Sequence, residues 1–276
     1  MKKKNKAIYL LFLMPFVYFA TACFVVWLVK TSGIYPSGSD TMYHVYRGDY
    51  VYNAIKSGNW YPLYDPAWYN GVEILRYWSP FPAYVMAFCQ YLAGGSQFGA
   101  YLFYIGGVCF LGACVWPFIG RGFNRPYLGA FIGLLWFFMP NNLCAIFIEG
   151  NLARSLSMIF LPVFIYSVYK YLYNHKLRYI PLMVFTFLLM ELCHLGYAGM
   201  VAIAVIIYGI VYMIQKGRKK AVLDVVISMI FGFMLLGIWL VASLRGGITS
   251  LDNSENMANF FQNLWITINP FERLTR

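Results

Sequence analysis

Three ionisable residues in the first third of the chain have a spacing that could bring them together for chemistry. Asp40, His44 and Arg47 stand at positions i, i+4 and i+7, which aligns them on one face of a helix. Such a face would present a carboxylate, a titratable base and a fixed cation, the groups that move protons and hold anions. In the alternative interpretation Asp40 only caps the helix, while His44 and Arg47 are solvated on its outer face. Asp49 is a further acid in this segment, and in the alternative interpretation it too is only solvated on the outer face of the helix.

A second group of polar residues interrupts the apolar sequence further along the chain. Asn151 follows Glu149 closely and can cap the helix that starts there, so that free amides and Arg154 could hold a phosphate. An ordinary helix start is the alternative interpretation. Glu191 and His194 are about one helical turn apart at the end of a short apolar run, where they could complete a polar site or satisfy each other.

The first group lies in a segment that we predict to be helical. Ser39 or Asp40 can cap a helix that runs to about Ser57, with Gly58 as a stop signal. Its tyrosines form an adjoining aromatic face, so the helix could lie on the bilayer surface and present its polar side to a site. Aromatic residues then alternate with turn formers over residues 60–82, where they could hold a sugar face, a lipid headgroup region or no ligand at all.

The rest of the chain is apolar enough to be embedded in a membrane. Of its 276 residues 61% are hydrophobic, 20% aromatic and only 11% charged, whereas ordinary soluble domains carry about a quarter charged residues. We therefore predict an all-α integral membrane protein with about seven transmembrane helices. The candidate helices are Ala7–Val29, Phe98–Gly120, Pro126–Ile148, Leu152–Tyr169, Tyr179–Met190, Leu195–Gln215 and Val225–Leu244.

The distribution of basic residues predicts how these helices are oriented. The basic residues that give the net charge of +11 lie in short clusters between apolar runs. We therefore expect membrane lipids as partners and no nucleic acid. The segment Pro82–Ala93 is too short to cross the bilayer. If it does not cross, one side receives 13 of the 21 basic residues in four short loops, which makes that side cytoplasmic. We expect a multi-pass protein of the plasma membrane with a cytoplasmic N-terminus and an exterior C-terminus.

This topology divides the chain into two parts and indicates where a site should lie. Residues 1–244 form one transmembrane module, with interfacial helices in a long first exterior loop at residues 31–97. Residues 245–276 form an exterior tail, which we expect to be truncated. Nine of the ten acids then lie on the exterior side. Because ionisable groups near the membrane are costly and usually functional, the site is expected on this side.

The order of motifs in the first loop resembles a known superfamily. A short Lys-rich start and one apolar run precede a loop that opens Gly38-Ser39-Asp40-Thr41, continues with His44 and Arg47, and reaches Asn70-Gly71 and Ser79-Pro80-Phe81-Pro82. This order resembles bacterial polytopic glycosyltransferases of the GT-C superfamily. It is most similar to the membrane proteins catalogued as 6-pyruvoyl-tetrahydropterin-synthase-related. The resemblance covers about residues 7–244 and implies the superfamily's seven-helix core module.

The resemblance implies an activity and a set of site residues. A sugar would move from a polyprenyl-phosphate donor to an acceptor hydroxyl of a glycan, a lipid or a protein at the exterior face. Asp40 would be the catalytic base or a metal ligand, with His44 beside it. The chemistry of such a reaction and the predicted exterior position, and not the resemblance, indicate a wider set of residues that would bind substrate, namely Arg47, Asp49, Glu149, Asn151, Arg154, Glu191 and His194.

The departing phosphate in such a reaction needs its charge stabilised. Arg47, Arg76 or Arg154 could supply fixed donors, and a divalent cation such as Mg²⁺ or Mn²⁺, with Asp40 as ligand, is the alternative. Other branches of the superfamily have two adjacent acids, whereas Thr41 follows Asp40 in this chain. The sequence therefore leaves the cofactor unknown.

Two other classes of function fit the same composition. A transporter or lipid-linked-sugar flippase would also place polar groups at the exterior side, and the junction at His194 could mark a broken helix. A non-catalytic membrane scaffold is the second alternative, and it expects Asp40 to be freely replaceable.

Overall fold

The computed structural model describes residues 2–36, 38–68, 71–76 and 78–245, with side chains described within residues 12–243. Over these residues the regular structure is helical, apart from one antiparallel bridge between Asp65 and Val72. The elements are α1 (Lys2–Ser32), α2 (Thr41–Lys56), α3 (Phe81–Leu92), α4 (Gln97–Gly122), α5 (Pro126–Trp136), α6 (Pro140–Leu143), a π-helical turn (Cys144–Ile148), α7 (Leu152–Asn174), α8 (Tyr179–Cys193), α9 (Leu195–Lys216) and α10 (Lys219–Arg245).

The chain divides into two compact units, Met1–Leu236 and Gly237–Arg276. The first unit holds nearly all the helices and every site residue that the sequence predicts. Of the second, the structure describes the end of α10 as far as Arg245. The predicted exterior tail, 245–276, thus lies almost wholly outside the described residues.

The all-α membrane architecture is confirmed, but the number of seven spans stays a prediction. Six segments of the described chain are long and apolar enough to cross a membrane. The predicted fifth span is the 15-residue helix α8, which at about 1.5 Å per residue reaches only about 22 Å. A hydrocarbon core is about 30 Å thick. The six segments are Phe12–Ser32, Gln97–Gly122, Pro126–Ile148, Leu152–Asn174, Leu195–Lys216 and Lys219–Ser243.

Helix α8 packs along its neighbour α7 over most of its own length. Near one end the rings of Tyr166 and Tyr179 are 6.1 Å apart, and near the other Ser157 Oγ donates to the carbonyl of Met190 at 3.2 Å. The two helices are therefore antiparallel. The residue after α8, His194, comes back to the level at which α7 begins.

Contacts gather three of the predicted cytoplasmic loops at one end of the helices, which we call the basic end. Lys170 Nζ donates to the carbonyl of Gly122 at 2.6 Å, so the ends of α4 and α7 meet there. Tyr171 donates to Asp224 Oδ2 at 2.5 Å, which adds the start of α10. These contacts agree with the predicted grouping of the loops, and which end faces the cytoplasm stays a prediction.

The third candidate span is a broken helix instead of the continuous one expected over Pro126–Ile148. Helix α5 ends at Trp136, and Met139 is extended (φ −62°, ψ 122°) just before Pro140. A proline lacks the N–H needed to continue a helix and disfavours the helical conformation in the residue before it. The chain then forms α6 and the π-helical turn, which ends at Glu149.

The first loop contains the two short helices that the sequence predicts. Helix α2 ends at Lys56, and Gly58 takes the left-handed conformation (φ +85°) of a helix stop. Helix α3 has 12 residues, too few to cross a bilayer. The two pack closely, because a Cβ atom placed on Gly48 of α2 would lie 2.6 Å from the Cβ of Met86 of α3.

Site-directed labelling tests the predicted orientation. In a cysteine-free background, Asn59→Cys in the first loop should react with a membrane-impermeant thiol reagent in intact cells. Arg125→Cys at the basic end should react only after permeabilisation. Both positions are exposed, and the unlabelled background protein is the control. Labelling of both from the same side would contradict the proposed topology.

Candidate functional site

The start of α2 is joined to the turn before α7 by a close backbone contact. The amide of Asp40 donates to the carbonyl of Glu149 at 3.1 Å, and Ser39 Oγ donates to the same carbonyl at 3.1 Å. A Cβ placed on Gly38 would lie 2.5 Å from the Cα of Gly150. The two polar groups predicted from the sequence therefore meet in one place, which we call the junction site.

Asp40 occupies the rim of the junction site. It stands at the N-cap position of α2, but its side chain makes no capping hydrogen bond. Ser39 Oγ donates to Asp40 Oδ1 at 3.2 Å, and the residue is exposed. The interpretation of Asp40 as a side-chain cap is therefore wrong, and its carboxylate can accept a proton or a ligand.

His44 is buried, so the interpretation of a solvated outer face is wrong for this residue. Only 7% of it is exposed. Burial, followed by the positive charge of Arg47 and the nearby His194, lowers the pKa of His44 to about 3. The ring is therefore neutral near pH 7.

Arg47 is a buried cation without a carboxylate partner. It is 1% exposed, and within the described chain no acidic side chain lies at ion-pair distance from it. Its Nη2 donates to the carbonyl of Trp78 at 3.1 Å and lies 3.5 Å from that of Ser79, while its Nε has no partner. Burial lowers the pKa of Arg47, but an arginine stays protonated in proteins. An uncompensated buried charge costs several kcal/mol.

The other two candidate arginines are neutralised. Arg154 forms a two-pronged ion pair with Glu149, with N–O distances of 2.7 and 3.1 Å, and Arg76 pairs with Glu73. Asn151 Oδ1 accepts from the amide of Arg154 at 2.9 Å, which confirms the predicted helix cap. Of the three arginines, Arg47 therefore has the cationic charge that no acid offsets.

His194 links the turn before α7 with the start of α9. Its Nδ1 accepts from the amide of Tyr197 at 3.0 Å, so the neutral ring carries its proton on Nε2. Nε2 faces Asn151 Nδ2 at 3.4 Å, and two donors cannot bond each other. Burial lowers the pKa of His194, and the charges of Asp40 and Glu149 raise it by a smaller amount. The Nε2–H group is thus a donor directed at the junction site.

Glu191 does not satisfy His194, so that alternative is wrong. It is 2% exposed, and its Oε2 has no hydrogen-bond partner. Its backbone carbonyl accepts from Ser79 Oγ at 2.9 Å, and the backbone carbonyl of Ser79 lies next to Arg47. Ser79 therefore connects Glu191 to the buried cation. The sequence alone places Ser79 in the Ser79-Pro80-Phe81-Pro82 motif and gives no signal of this role.

Asp49 lies outside the junction site. Its Oδ1 accepts from Gln90 Nε2 of α3 at 2.6 Å, and Gln90 also donates to the carbonyl of Gly95 at 3.1 Å. Asp49 therefore cross-links α2 to α3. Its predicted role in binding substrate has no support from this placement.

The side chains at the junction site do not form a closed set of metal ligands. The described residues contain no group of three or more His, Cys, Asp or Glu side chains that could hold a metal ion. Glu149, the acid whose carbonyl contacts Asp40, uses its carboxylate on Arg154. The group that fits an anion here is the guanidinium of Arg47.

The fold and site define a class of protein: a multi-pass α-helical membrane protein with a polar, partly buried site at one end of its helices. Within that class the chain belongs to the family of the 6-pyruvoyl-tetrahydropterin synthase related domain, a membrane protein family whose model matches residues 75–276. The predicted relation to this family is therefore confirmed. No curated protein and no solved structure matches the chain.

The burial of His44 predicts a loss of stability in acid. Below the usual histidine pKa of about 6.5, an unfolded chain binds a proton that native His44 does not, so this contribution to the free energy of unfolding falls as pH decreases. Between pH 7.5 and 5 the loss should be about 2 kcal/mol for this group. As the pH is lowered, the thermal midpoint in detergent should therefore decrease less steeply for His44→Gln than for the native protein.

The exposed His175 at the basic end provides the matched control. His175→Gln should keep the full pH dependence of the native protein. Identical pH dependence of the native and His44→Gln midpoints would contradict the assigned burial of the neutral ring.

Proposed function

We propose that this chain is a membrane glycosyltransferase of the GT-C type. It moves a sugar from a polyprenyl-phosphate donor to an acceptor hydroxyl at the exterior membrane face. The observation that carries the proposal is Arg47, a buried cation without an acidic partner in the described chain, on the same face of α2 as the exposed carboxylate of Asp40 two turns away. A leaving phosphate and an attacking hydroxyl need these two groups.

Arg47 is suited to the donor phosphate because its charge is available and its surroundings are neutral. The nearby His44 carries no charge near pH 7, since burial lowers its pKa to about 3. The Nε atom of Arg47 has no partner, and charge-assisted hydrogen bonds from a guanidinium to phosphate are among the strong ones. A phosphate bound to Arg47 would offset the free-energy cost of burying its charge, and this gain would favour binding of the donor.

Asp40 is suited to be the general base. An acceptor hydroxyl gives its proton to the Asp40 carboxylate as its oxygen attacks the anomeric carbon of the sugar. The bond between that carbon and the phosphate oxygen breaks, and polyprenyl phosphate leaves with the electron pair. Arg47 stabilises the charge that develops on the leaving oxygen, and the Nε2–H of His194 is a second donor.

The lipid chain of the donor needs an apolar path beside this site. A groove of about 610 Å³ lies between α1, α3 and α4 and reaches Leu156 of α7. Its walls are formed almost entirely by apolar side chains, including Phe88, Phe103 and Phe110. Such a groove would hold a prenyl chain within the bilayer while the phosphate stays at the membrane surface.

A lipid-linked-sugar flippase is the second candidate, and one feature favours it. The third candidate span is broken between Trp136 and Pro140, and transporters commonly bind their substrates at interrupted helices. A flippase would use the same affinity for a sugar phosphate without forming a glycosidic bond. A scaffold would need neither Asp40 nor Arg47.

Substitution of the base and of the cation tests the transferase. Purified protein in liposomes is given radiolabelled polyprenyl-phosphate glucose, mannose or galactose together with native membrane extract as the acceptor source. Asp40→Asn should lower the rate of sugar transfer at least about 100-fold, the usual contribution of a general base. Arg47→Gln should lower it as well, because the leaving phosphate loses its cation. Asp224→Asn and Arg125→Gln at the basic end are the matched controls.

The same assay separates the alternatives. Undiminished sugar transfer by Asp40→Asn would contradict the role of Asp40 as the general base. Label that crosses the bilayer without forming a new glycosidic bond would favour the flippase. Thermal midpoints of all variants show whether a lost activity reflects unfolding.

A further inference from the structure

An aromatic surface lies beside Arg47 and has no role in the steps above. It consists of Tyr43 and Tyr46 of α2 with Trp68 and Trp78 of the loop that follows, and we call it the aromatic ledge. The ring centroids of Tyr43 are 5.4 Å from Trp68 and 6.1 Å from Trp78, and those of Tyr46 and Trp68 are 4.4 Å apart. Trp78 is nevertheless 52% exposed, so its ring has surface left for a ligand.

The ledge is held in place by polar contacts at its base. Tyr46 donates its hydroxyl proton to Asp65 Oδ2 at 2.5 Å. Asp65 and Val72 exchange backbone hydrogen bonds of 2.8 and 2.9 Å, which fix the turn that carries Trp68. A surface that is already ordered loses little conformational entropy when it binds a ligand.

The ledge also borders the buried cation directly. The Arg47 Cζ atom lies 5.4 Å from the ring centroid of Tyr43, and Arg47 Nη2 donates to the Trp78 carbonyl at 3.1 Å. The ring of His44 is 5.6 Å from that of Tyr43. A ligand that places a phosphate on Arg47 would therefore have its neighbouring group beside the ledge.

We propose that the aromatic ledge binds the hexose ring of the donor, stacked on Trp78, while Arg47 binds the phosphate to which that sugar is attached. This inference rests on the proposed function, because it names how the sugar-phosphate donor is recognised. A pyranose has an apolar face of C–H groups that packs on the large apolar face of an aromatic ring. The ledge thus distinguishes a sugar phosphate from an ordinary phospholipid headgroup.

The alternative for an exposed tryptophan is anchoring at the membrane surface. Trp60 provides the comparison, since it lies in the same loop and is 71% exposed. Its carbonyl accepts from Tyr84 of α3 at 2.7 Å, so it lies in another part of the loop. An interfacial anchor role predicts similar effects of replacing Trp60 and Trp78, whereas sugar binding predicts an effect of Trp78 alone.

The test measures binding in the absence of an acceptor. The full chain in lipid nanodiscs is titrated by calorimetry with glucose, galactose and mannose 1-phosphate, and separately with inorganic phosphate. At least one hexose 1-phosphate should bind about three- to tenfold more tightly than inorganic phosphate. Trp78→Leu should reduce this advantage to less than about twofold, with the affinity for inorganic phosphate unchanged. Trp78→Phe should retain most of the advantage, because it keeps a ring.

Two further variants complete the design. Trp60→Leu should leave every affinity unchanged, and Arg47→Gln should weaken inorganic phosphate and hexose phosphates alike. The ledge is refuted if no hexose 1-phosphate binds more tightly than inorganic phosphate, or if Trp78→Leu keeps the advantage. Equal thermal midpoints exclude unfolding as the cause of a lost affinity.

Failure of the ledge and failure of the transferase are distinguishable. Hexose phosphate binding that depends on Trp78, without sugar transfer, would support the sugar-binding role of the ledge and favour the flippase. Sugar transfer by Trp78→Leu with an unchanged KM for the donor would contradict the sugar-binding role of the ledge and support the transferase.

Discussion

The backbone contact between Gly38 and Gly150 is the constraint on which the junction site depends. A Cβ placed on Gly38 would lie 2.5 Å from Gly150 Cα, and Gly150 has φ +67°, a conformation that only glycine adopts readily. This contact brings Asp40 against the carbonyl of Glu149. Without it, the first loop would not meet the start of α7, and the two polar segments would remain separate. The glycines therefore have a structural role in the site, although they supply no side chain.

Burial of Arg47 sets a charge against the stability of the fold. Only 1% of Arg47 is exposed. The first loop nevertheless offers its guanidinium the carbonyl oxygens of Trp78 and Ser79 and no carboxylate. Filling the position with an apolar residue would commonly be neutral or stabilising. Within the part of the chain that the structure describes, the charge of Arg47 is left without an acid to offset it. The neutral His44 beside it avoids adding a second positive charge.

Helical periodicity accounts for much of what the sequence could predict here. The limits of α2 follow from its cap and stop signals, and the common face of Asp40, His44 and Arg47 follows from a 3.6-residue period. The same period could have excluded Asp49, because nine residues after Asp40 are two and a half turns and point to the opposite side of the helix. The burial of the face could not be predicted in this way. It depends on the turn at Glu149 and on α8, which are distant in sequence and meet α2 only in the folded chain.

Of the three candidate arginines Arg47 is the one that lacks an acidic partner, and the reason is local and can be read from the sequence. Glu149 precedes Arg154 by five residues, and Glu73 precedes Arg76 by three, and both acids form ion pairs with these arginines. The acid closest to Arg47 in sequence is Asp49, two residues away on the same helix. Residues at i and i+2 point about 200° apart and cannot pair, and Asp40 lies two turns away, about 10 Å along the axis. Helix geometry thus keeps Arg47 from pairing with Asp40 and Asp49, the acids nearest to it in sequence.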